Sequence, residues 1–402
     1  MNIAMVTSYF QPEFGYEEYY ISRKLSELGH EVSVITSDRI FPFKNIGNLL
    51  KEIGSEYTTR KRQVGVTKLD GFTVYRLPTL IEFLTDFNII LNLRETLKAI
   101  KPDIVHIQEP IQGGSALAAG HKDLGFKILA EQHAYATTFQ ETRSLKNTVA
   151  HIQYMFLRKP FGNYAYKRAD AITAVNERAK QFMVKTQNIP EDKVEVVPLG
   201  TDLDMFKFNK TARKSIRGEL GISNETSMIL TAGRFDKAKK LEHLINAFNK
   251  VQSKLDTFLV LIGSGDDEYE NSLKSLVKSL GLEKKVKFIK FVKKSKLPEY
   301  YSAAEIGFWN KASITILEAM SCRLPVILPE QPTIKFYITN DNGLFYPEDD
   351  VESLAKQLLT LASDPGLRVK MGKNAAELVK SEFSYDATTK KYLEIYERIL
   401  KN

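Results

Sequence analysis

The sequence predicts an α/β protein built from two parallel-sheet units, each doubly wound. Three observations carry this. Short β-branched runs, apolar on both faces, alternate with helix-length amphipathic stretches. The alternation breaks once, near residues 198–210, and then a second alternating series begins. Strands buried on both faces and joined by helices give right-handed βαβ units.

In the first half, residues 3–6, 32–36, 104–107, 128–130 and 171–174 read as buried strands. Residues 19–28 and 115–124 carry helical patterns, and Gly29 and Gly125 follow them where a helix-terminating glycine belongs. A strand at 194–197 leads into Pro198-Leu199-Gly200-Thr201-Asp202 and a polar, helix-poor stretch to about Lys210. The second series runs through strands at 228–232, 258–262, 286–289, 306–308 and 325–328. Helices at about 351–361, 365–380 and 387–400 end the chain. The predicted division is an N-terminal Rossmann-like domain over 1–205 and a second over 206–383. A terminal helix, 384–402, is expected to return to the first domain.

A chain of 402 residues is long enough for two or three domains and buries a core without staples. Its one cysteine, Cys322, forbids an internal disulfide and suits a reducing compartment. Residues 1–6 have no basic segment ahead of the apolar stretch and read as a first strand rather than a signal peptide. No window approaches the roughly 18 apolar residues of a membrane span. The net charge is +8, and it is uneven: residues 206–402 hold 32 Lys+Arg against 25 Asp+Glu. A basic second half suits an anionic ligand. Runs such as Lys284-Lys285 and Lys293-Lys294 read as solvated faces. Basic stripes interleaved with aromatics in a nucleic-acid module are not seen, so nucleic acid is not an expected partner.

Two segments interrupt the first half. Residues 41–65 carry Phe41-Pro42-Phe43, Leu49-Leu50 and Arg60-Lys61-Arg62. Residues 139–168 mix Phe139, Tyr154, Phe156, Leu157, Phe161 and Tyr164 with Arg158, Lys159, Lys167 and Arg168. Such mixtures mark a membrane-surface helix or a core helix with basic residues at its edge. For 139–168 the core helix is the preferred reading.

The chemistry is narrowed first by what is missing. Gly113-Gly114 and Gly263-Ser264-Gly265 do not make a dinucleotide fingerprint, and no P-loop or zinc spacing occurs. The informative stretch is 231–240, Thr-Ala-Gly-Arg-Phe-Asp-Lys-Ala-Lys-Lys, between a strand and a helix. The carboxyl end of a strand is where open α/β sheets bind ligands. There Arg234 offers a planar fork for phosphate oxygens and Lys239 a point charge. A basic loop facing water is the alternative. A second stretch, 310–320, opens a helix near Ser313 or Thr315, and free N–H groups at a helix start bind anions. Glu318 lies one turn inside, between apolar neighbours, where it could accept ribose hydroxyls.

Several fragments, in this order, resemble the retaining GT-B glycosyltransferases of family 4, and the resemblance covers nearly the whole chain. They are Tyr9-Phe10-Gln11-Pro12-Glu13-Phe14-Gly15-Tyr16-Glu17, Gly29-His30-Glu31-Val32, Asp103-Ile104-Val105-His106 and Arg168-Ala169-Asp170. Then come Val197-Pro198-Leu199-Gly200-Thr201-Asp202 with Phe206, and Gly233-Arg234 with Lys239. Last is Glu318-Ala319-Met320 with Leu324-Pro325-Val326-Ile327, the second half of the family's E-x7-E element. The resemblance implies two Rossmann-like domains facing across a cleft that holds a nucleoside-diphosphate sugar. It implies donor-binding roles for Gly15, Gly233, Arg234, Lys239, Gly263, Asn310, Ser313, Ile314, Thr315 and Glu318. His133, read alone an ordinary core or surface histidine, falls where the family keeps a histidine near the reacting sugar. His133, Arg234 and Lys239 are the expected catalytic set.

One departure stands out. Asn310 occupies the place of the family's first motif glutamate, which puts the donor sugar in question. The implied reaction is hexosyl transfer with retention from a UDP- or GDP-sugar to a glycan or lipid-linked acceptor, without a metal or a resident cofactor. The expected setting is the cytoplasm, with room for a peripheral contact at the inner membrane face. Two rival readings stay open: a nucleotide-sugar epimerase on the same fold, and a non-catalytic binding protein of this family.

Overall fold

The computed structural model describes residues 1–42, 59–83, 87–133, 154–290, 292–339 and 341–401, together with Leu50, Tyr57 and Ile152. Phe43 and Leu49 of the first interrupting segment, and Phe139 of the second, lie outside the described residues. The chain divides into two compact units. One comprises Met1–Leu199 with Tyr385–Asn402, and the other Gly200–Ser384.

The first unit opens with β1 (Asn2–Val6), helix α1 (Glu17–Glu27) and β2 (Glu31–Ser37). Two hairpins follow: β3 (Gly65–Leu69) with β4 (Phe72–Leu77), and β5 (Thr79–Phe83) with β6 (Phe87–Ile90). Then come α2 (Leu93–Ile100), β7 (Ile104–Gln108), α3 (Gly113–Ala116), β8 (Lys127–Gln132), α4 (Lys159–Tyr166), β9 (Ala171–Ala174), α5 (Glu177–Phe182) and β10 (Val194–Val196). The sheet order is β10-β9-β8-β7-β1-β2-β4-β3, parallel except for the β3–β4 pair. Strand order reverses at β1, which is flanked by β2 and β7.

The expected helix over 115–124 is mostly a 3₁₀ segment, Leu117–Leu124, broken at His121 (φ −105°, ψ 18°). Ahead of it, Gly113 and Gly114 bring α3 against the β6 hairpin strand. A Cβ on Gly113 would come within 2.5 Å of the Phe87 ring.

The second unit holds α6 (Lys210–Glu219), β11 (Ser227–Ala232), α7 (Leu241–Gln252), β12 (Thr257–Ile262), α8 (Asp267–Ser279) and β13 (Val286–Ile289). It continues with α9 (Leu297–Ala303), β14 (Ile306–Phe308), α10 (Ile314–Ser321), β15 (Val326–Pro329), β16 (Gly343–Tyr346), α11 (Val351–Ser363) and α12 (Pro365–Glu382). Its sheet is wholly parallel in the order β13-β12-β11-β14-β15-β16. All six residues of β11 are buried, as a central strand covered on both faces requires. Side-chain caps start the helices: Asn209, Asp266, Ser313, Asp350 and Asp364 each accept a backbone N–H of the following turn.

The division differs from the expected one by a few residues. Gly200–Ser384 closes on itself because Thr201 N–H donates to the Phe383 carbonyl at 2.8 Å and Thr201 bridges Ser384. The last helix, α13 (Tyr385–Lys401), belongs to the first unit. It sets Tyr392, Ile395, Tyr396 and Ile399 into one core cluster with Ile3, Met5, Tyr20 and Val32. Fully burying a large apolar side chain is worth about 1.5–3 kcal/mol, so four such residues hold this helix firmly. Among the described residues, no helix is long and apolar enough to cross a membrane.

Candidate functional site

In the second unit β11 is flanked by β12 and β14, so strand order reverses there too. Such a reversal leaves a crevice at the carboxyl ends of the two diverging strands. Gly233, Arg234, Lys239 and Asn310 of the expected set lie there, together with Trp309. Gly233 and Arg234 leave β11, Trp309 and Asn310 leave β14, and Lys239 closes the short 3₁₀ turn Lys237–Lys239. An open pocket is lined by Ala232, Gly233, Arg234, Lys239, Trp309 and Asn310 among others.

Its floor is tightly built. The Ala232 carbonyl accepts the Trp309 indole N–H at 2.9 Å and the Thr315 hydroxyl at 3.2 Å. Gly233 and Gly263, both near φ +147°, let the ends of β11 and β12 touch. A Cβ on Gly263 would lie 1.9 Å from the Gly233 carbonyl oxygen, and one on Gly265 would lie 2.0 Å from that of Phe235. Only glycine fits such a crossing.

The pocket is positive. The Arg234 side chain is 79% exposed and meets only Asp236, at 3.6 Å, among the described carboxylates. Lys239 has no carboxylate within ion-pair distance among the described residues. Burial pushes its ammonium below the ordinary lysine range; Asp236 opposes this, and Arg234 and Lys311 add to it. Cations left short of counter-charge in a partly buried pocket favour an anion.

Helix α10 starts beside this pocket. Ser313 caps it through its hydroxyl, which accepts from Thr315 N–H at 3.4 Å and lies 2.7 Å from the Thr315 hydroxyl. Ser313, Ile314 and Thr315 thus gather where expected, although the Thr315 hydroxyl is already spent on Ala232. Asn310 is buried, and its amide is bonded on both sides, to Tyr346 and to the Ala238 carbonyl.

Glu318 is 2% exposed, and the Lys294 ammonium stands 3.5 Å from it. Burial raises its carboxyl above the ordinary range and Lys294 pulls it partly back. Lys294 is therefore a partner of the buried acid rather than the purely solvated charge expected. Lys285 is nearer the solvated kind: its side chain is 40% exposed and paired with Asp256 at 2.5 Å.

Gly15 and His133 lie in the first unit. Gly15, in the left-handed region (φ 62°, ψ 52°), ends the 3₁₀ turn Pro12–Phe14 and so sets where α1 begins. His133 follows β8 at the sheet's carboxyl edge and is 22% exposed. Its Nε2 is 2.5 Å from Glu131 Oε1 and 3.7 Å from Glu17 Oε2. Glu131 is fully buried, and its other oxygen faces His106 Nε2 at 2.8 Å. His106 Nδ1 meets the Tyr396 hydroxyl at 2.7 Å. Donor atoms of Glu17, Glu131 and His133 lie within 4.8 Å of one another. The Glu131–His133 contact is an ion pair of a buried carboxylate and a partly exposed imidazole.

Sequence reasoning gave no site role to Glu17, Glu131, Tyr392, Tyr396, Lys294, Trp309 or Tyr346. Glu131 stands two residues before His133, and His106 sits inside the 103–106 motif. That two-residue spacing along one strand was the available signal.

Comparison with known proteins agrees with this architecture. The sequence profile described as Glycosyltransferase Family 4 matches residues 19–205, and that described as Glycosyl transferases group 1 matches residues 212–378. The chain belongs to the family 4, group 1 glycosyltransferases, and its fold is GT-B, two Rossmann-like domains. An uncharacterized glycosyltransferase of Methanocaldococcus jannaschii is 29% identical over 238 residues, 58% of this chain and 60% of that protein. The N-acetyl-alpha-D-glucosaminyl L-malate synthase of Bacillus anthracis is 22% identical over 390 residues, 95% of this chain and 93% of that enzyme. HepE of Anabaena, solved in complex with UDP and glucose, shares the fold with a TM-score of 0.66 at 15% identity, covering 98% and 99% of the two chains.

Proposed function

We propose that this glycosyltransferase takes its sugar from a nucleoside-diphosphate donor, UDP- or GDP-linked, and passes it with retention to a glycan or lipid-linked acceptor. The observation that carries the donor reading is the pocket at the β11/β14 reversal, where Arg234 and Lys239 lack a full counter-charge. The binding of UDP by HepE, a protein of the same fold, supports the same reading.

In this reading the diphosphate lies against Arg234, Lys239 and the backbone of Gly233, with the N–H groups at the start of α10 facing it. Gly263 contributes by letting the strand ends close. Glu318 accepts the ribose hydroxyls. Cleavage of the donor bond builds oxocarbenium character on the sugar and negative charge on the phosphate. Cations held in place before the reaction stabilise that charge without reorganising. They do the work that a metal ion does elsewhere, so no metal or resident cofactor enters the scheme. His133 meets the transferred sugar, and Gly15 gives the donor a close approach to the start of α1. Attack of the acceptor hydroxyl from the leaving-group face keeps the configuration.

The test is incubation with UDP-, GDP- and ADP-sugars and a lipid extract, read by mass spectrometry. Products carrying one added hexose are expected with a UDP or GDP donor. Conversion of the donor sugar with no acceptor present would instead make the protein an epimerase.

A further inference from the structure

The buried groups beneath His133 form one continuous chain across three elements. Tyr396 comes from α13, His106 from β7, and Glu131 and His133 from β8 and its end. Glu131 is the only group in the chain able to accept from both sides, since an ionised carboxylate has acceptors alone. One of its oxygens is hydrogen-bonded to His106 Nε2 at 2.8 Å, and the other is ion-paired with His133 Nε2 at 2.5 Å. His106 thus stands between Glu131 and Tyr396, its Nε2 toward the carboxylate and its Nδ1 2.7 Å from the Tyr396 hydroxyl.

The charges agree with this arrangement. Burial would push Glu131 up, yet the two imidazoles hold its carboxyl well below the ordinary range. Burial would lower His133, but Glu131, with Glu17 and Glu109 behind it, raises it well above the ordinary histidine value. Glu17, buried beside Glu131, is raised well above the carboxylate range by burial and then by Glu131. The groups facing His133 are thus Glu131 from β8, Glu17 and Glu18 from α1, and Glu109 from the end of β7.

We propose that Glu131 is a positioning residue for His133: its carboxylate, anchored through His106 to Tyr396 of the C-terminal helix, clamps Nε2 and turns Nδ1–H toward the substrate. This rests on the reading that His133 meets the transferred sugar. The chain makes the last helix part of the active centre, because Tyr396 reaches His106 across 290 residues of sequence.

The experiment uses the full chain labelled with ¹⁵N-histidine. Ring nitrogen shifts are followed against pH in the wild type, Glu131→Gln and Tyr396→Phe, alongside donor turnover. His133 is expected to stay doubly protonated well above the ordinary histidine range. In Glu131→Gln its titration should move down by about one unit or more, as loss of an adjacent opposite charge does. Turnover should fall about tenfold to a hundredfold, the worth of a charge-assisted hydrogen bond, while donor KM holds. Tyr396→Phe should move both readouts the same way by less. An ordinary His133 titration in the wild type, or the same titration in a folded Glu131→Gln, overturns the proposal. If Glu131→Gln does not fold, an unmoved His133 in Tyr396→Phe overturns it. If the titration moves and turnover does not, Glu131 governs His133 as proposed, and it is the sugar role of His133 that is withdrawn.

Discussion

The hydroxyl of Tyr346, at the end of β16, donates to the amide oxygen of Asn310 at 2.8 Å, while the Asn310 amide nitrogen reaches the Ala238 carbonyl at 3.5 Å. Asn310 therefore ties the last strand of its sheet to the turn that carries Lys239. A glutamate in its place, as the family pattern has, could still accept from Tyr346 but could not donate to Ala238. The departure from the family pattern thus has a structural consequence at the pocket that Arg234, Lys239 and Asn310 line.

Tyr346→Phe leaves a buried amide oxygen short of a donor, and Asn310→Asp loses the bond to Ala238 and buries a charge. Each should cost about 1–3 kcal/mol, the penalty of an unsatisfied buried polar group. The double variant should cost less than the two losses added, because both act on one network. Urea unfolding of the three variants measures this. Additive losses would mean that the two side chains do not act together.

Arg234→Ala and Lys239→Ala should each weaken calorimetric binding of the free nucleoside diphosphate by about tenfold to a hundredfold, with melting temperatures nearly unchanged. The Arg234 side chain is 79% exposed and meets Asp236 only at 3.6 Å, so its loss has little to cost the fold. Normal affinity in both variants would move the diphosphate elsewhere.

The strand-end pocket was legible in sequence because its parts are local. A glycine and an arginine directly after an apolar strand, and a capped helix after another, each announce a strand-end position within a few residues. The cluster under His133 was not legible, because its members come from four elements and the last is the C-terminal helix. No pattern in β7 or β8 says that two tyrosines from residues 392 and 396 will cover them. The β3–β4 hairpin was different, since its signal was present. Asp70-Gly71, both at positive φ (43° and 93°), is the two-residue turn that the twist of a hairpin favours, and β-branched residues flank it. A reading tuned to alternating strands and helices passes over an antiparallel insertion.

Glu318→Gln should separate stability from function. The folded carboxyl is held above its unfolded value, chiefly by burial. A raised acid binds more protons folded than unfolded, so the wild type loses stability as pH rises from the ordinary carboxylate range through the folded value. Glutamine does not titrate. The variant should therefore gain stability relative to the wild type across that window and keep the gain at neutral pH, with no difference in stronger acid. Its affinity for the nucleoside diphosphate should fall. Urea midpoints against pH give the first result and calorimetry the second. A variant that binds nucleotide normally removes the ribose role, and a gain that does not grow with pH removes the electrostatic account.

The crossing of Gly233 and Gly263 carries the last prediction. A methyl on Gly263 would sit 1.9 Å from the Gly233 carbonyl oxygen, with backbone rather than a flexible side chain as the obstacle. Gly263→Ala must therefore separate the ends of β11 and β12 and displace the residue that follows Gly233, which is Arg234. It also bears the strain of a positive φ, 146°, that alanine tolerates poorly. Gly221→Ala isolates the strain alone, since Gly221 also has positive φ, 67°, with nothing within 4 Å of a new Cβ. The left-handed conformation costs a non-glycine residue about 1–2 kcal/mol, which is the loss expected in Gly221→Ala, with nucleotide binding intact. Gly263→Ala should lose more stability than that and should weaken nucleoside-diphosphate binding as strongly as Arg234→Ala does. Equal stability losses in the two glycine variants, with full binding in both, would show that the strand ends part without moving Arg234. The close approach of Gly263 would then have no part in holding the diphosphate.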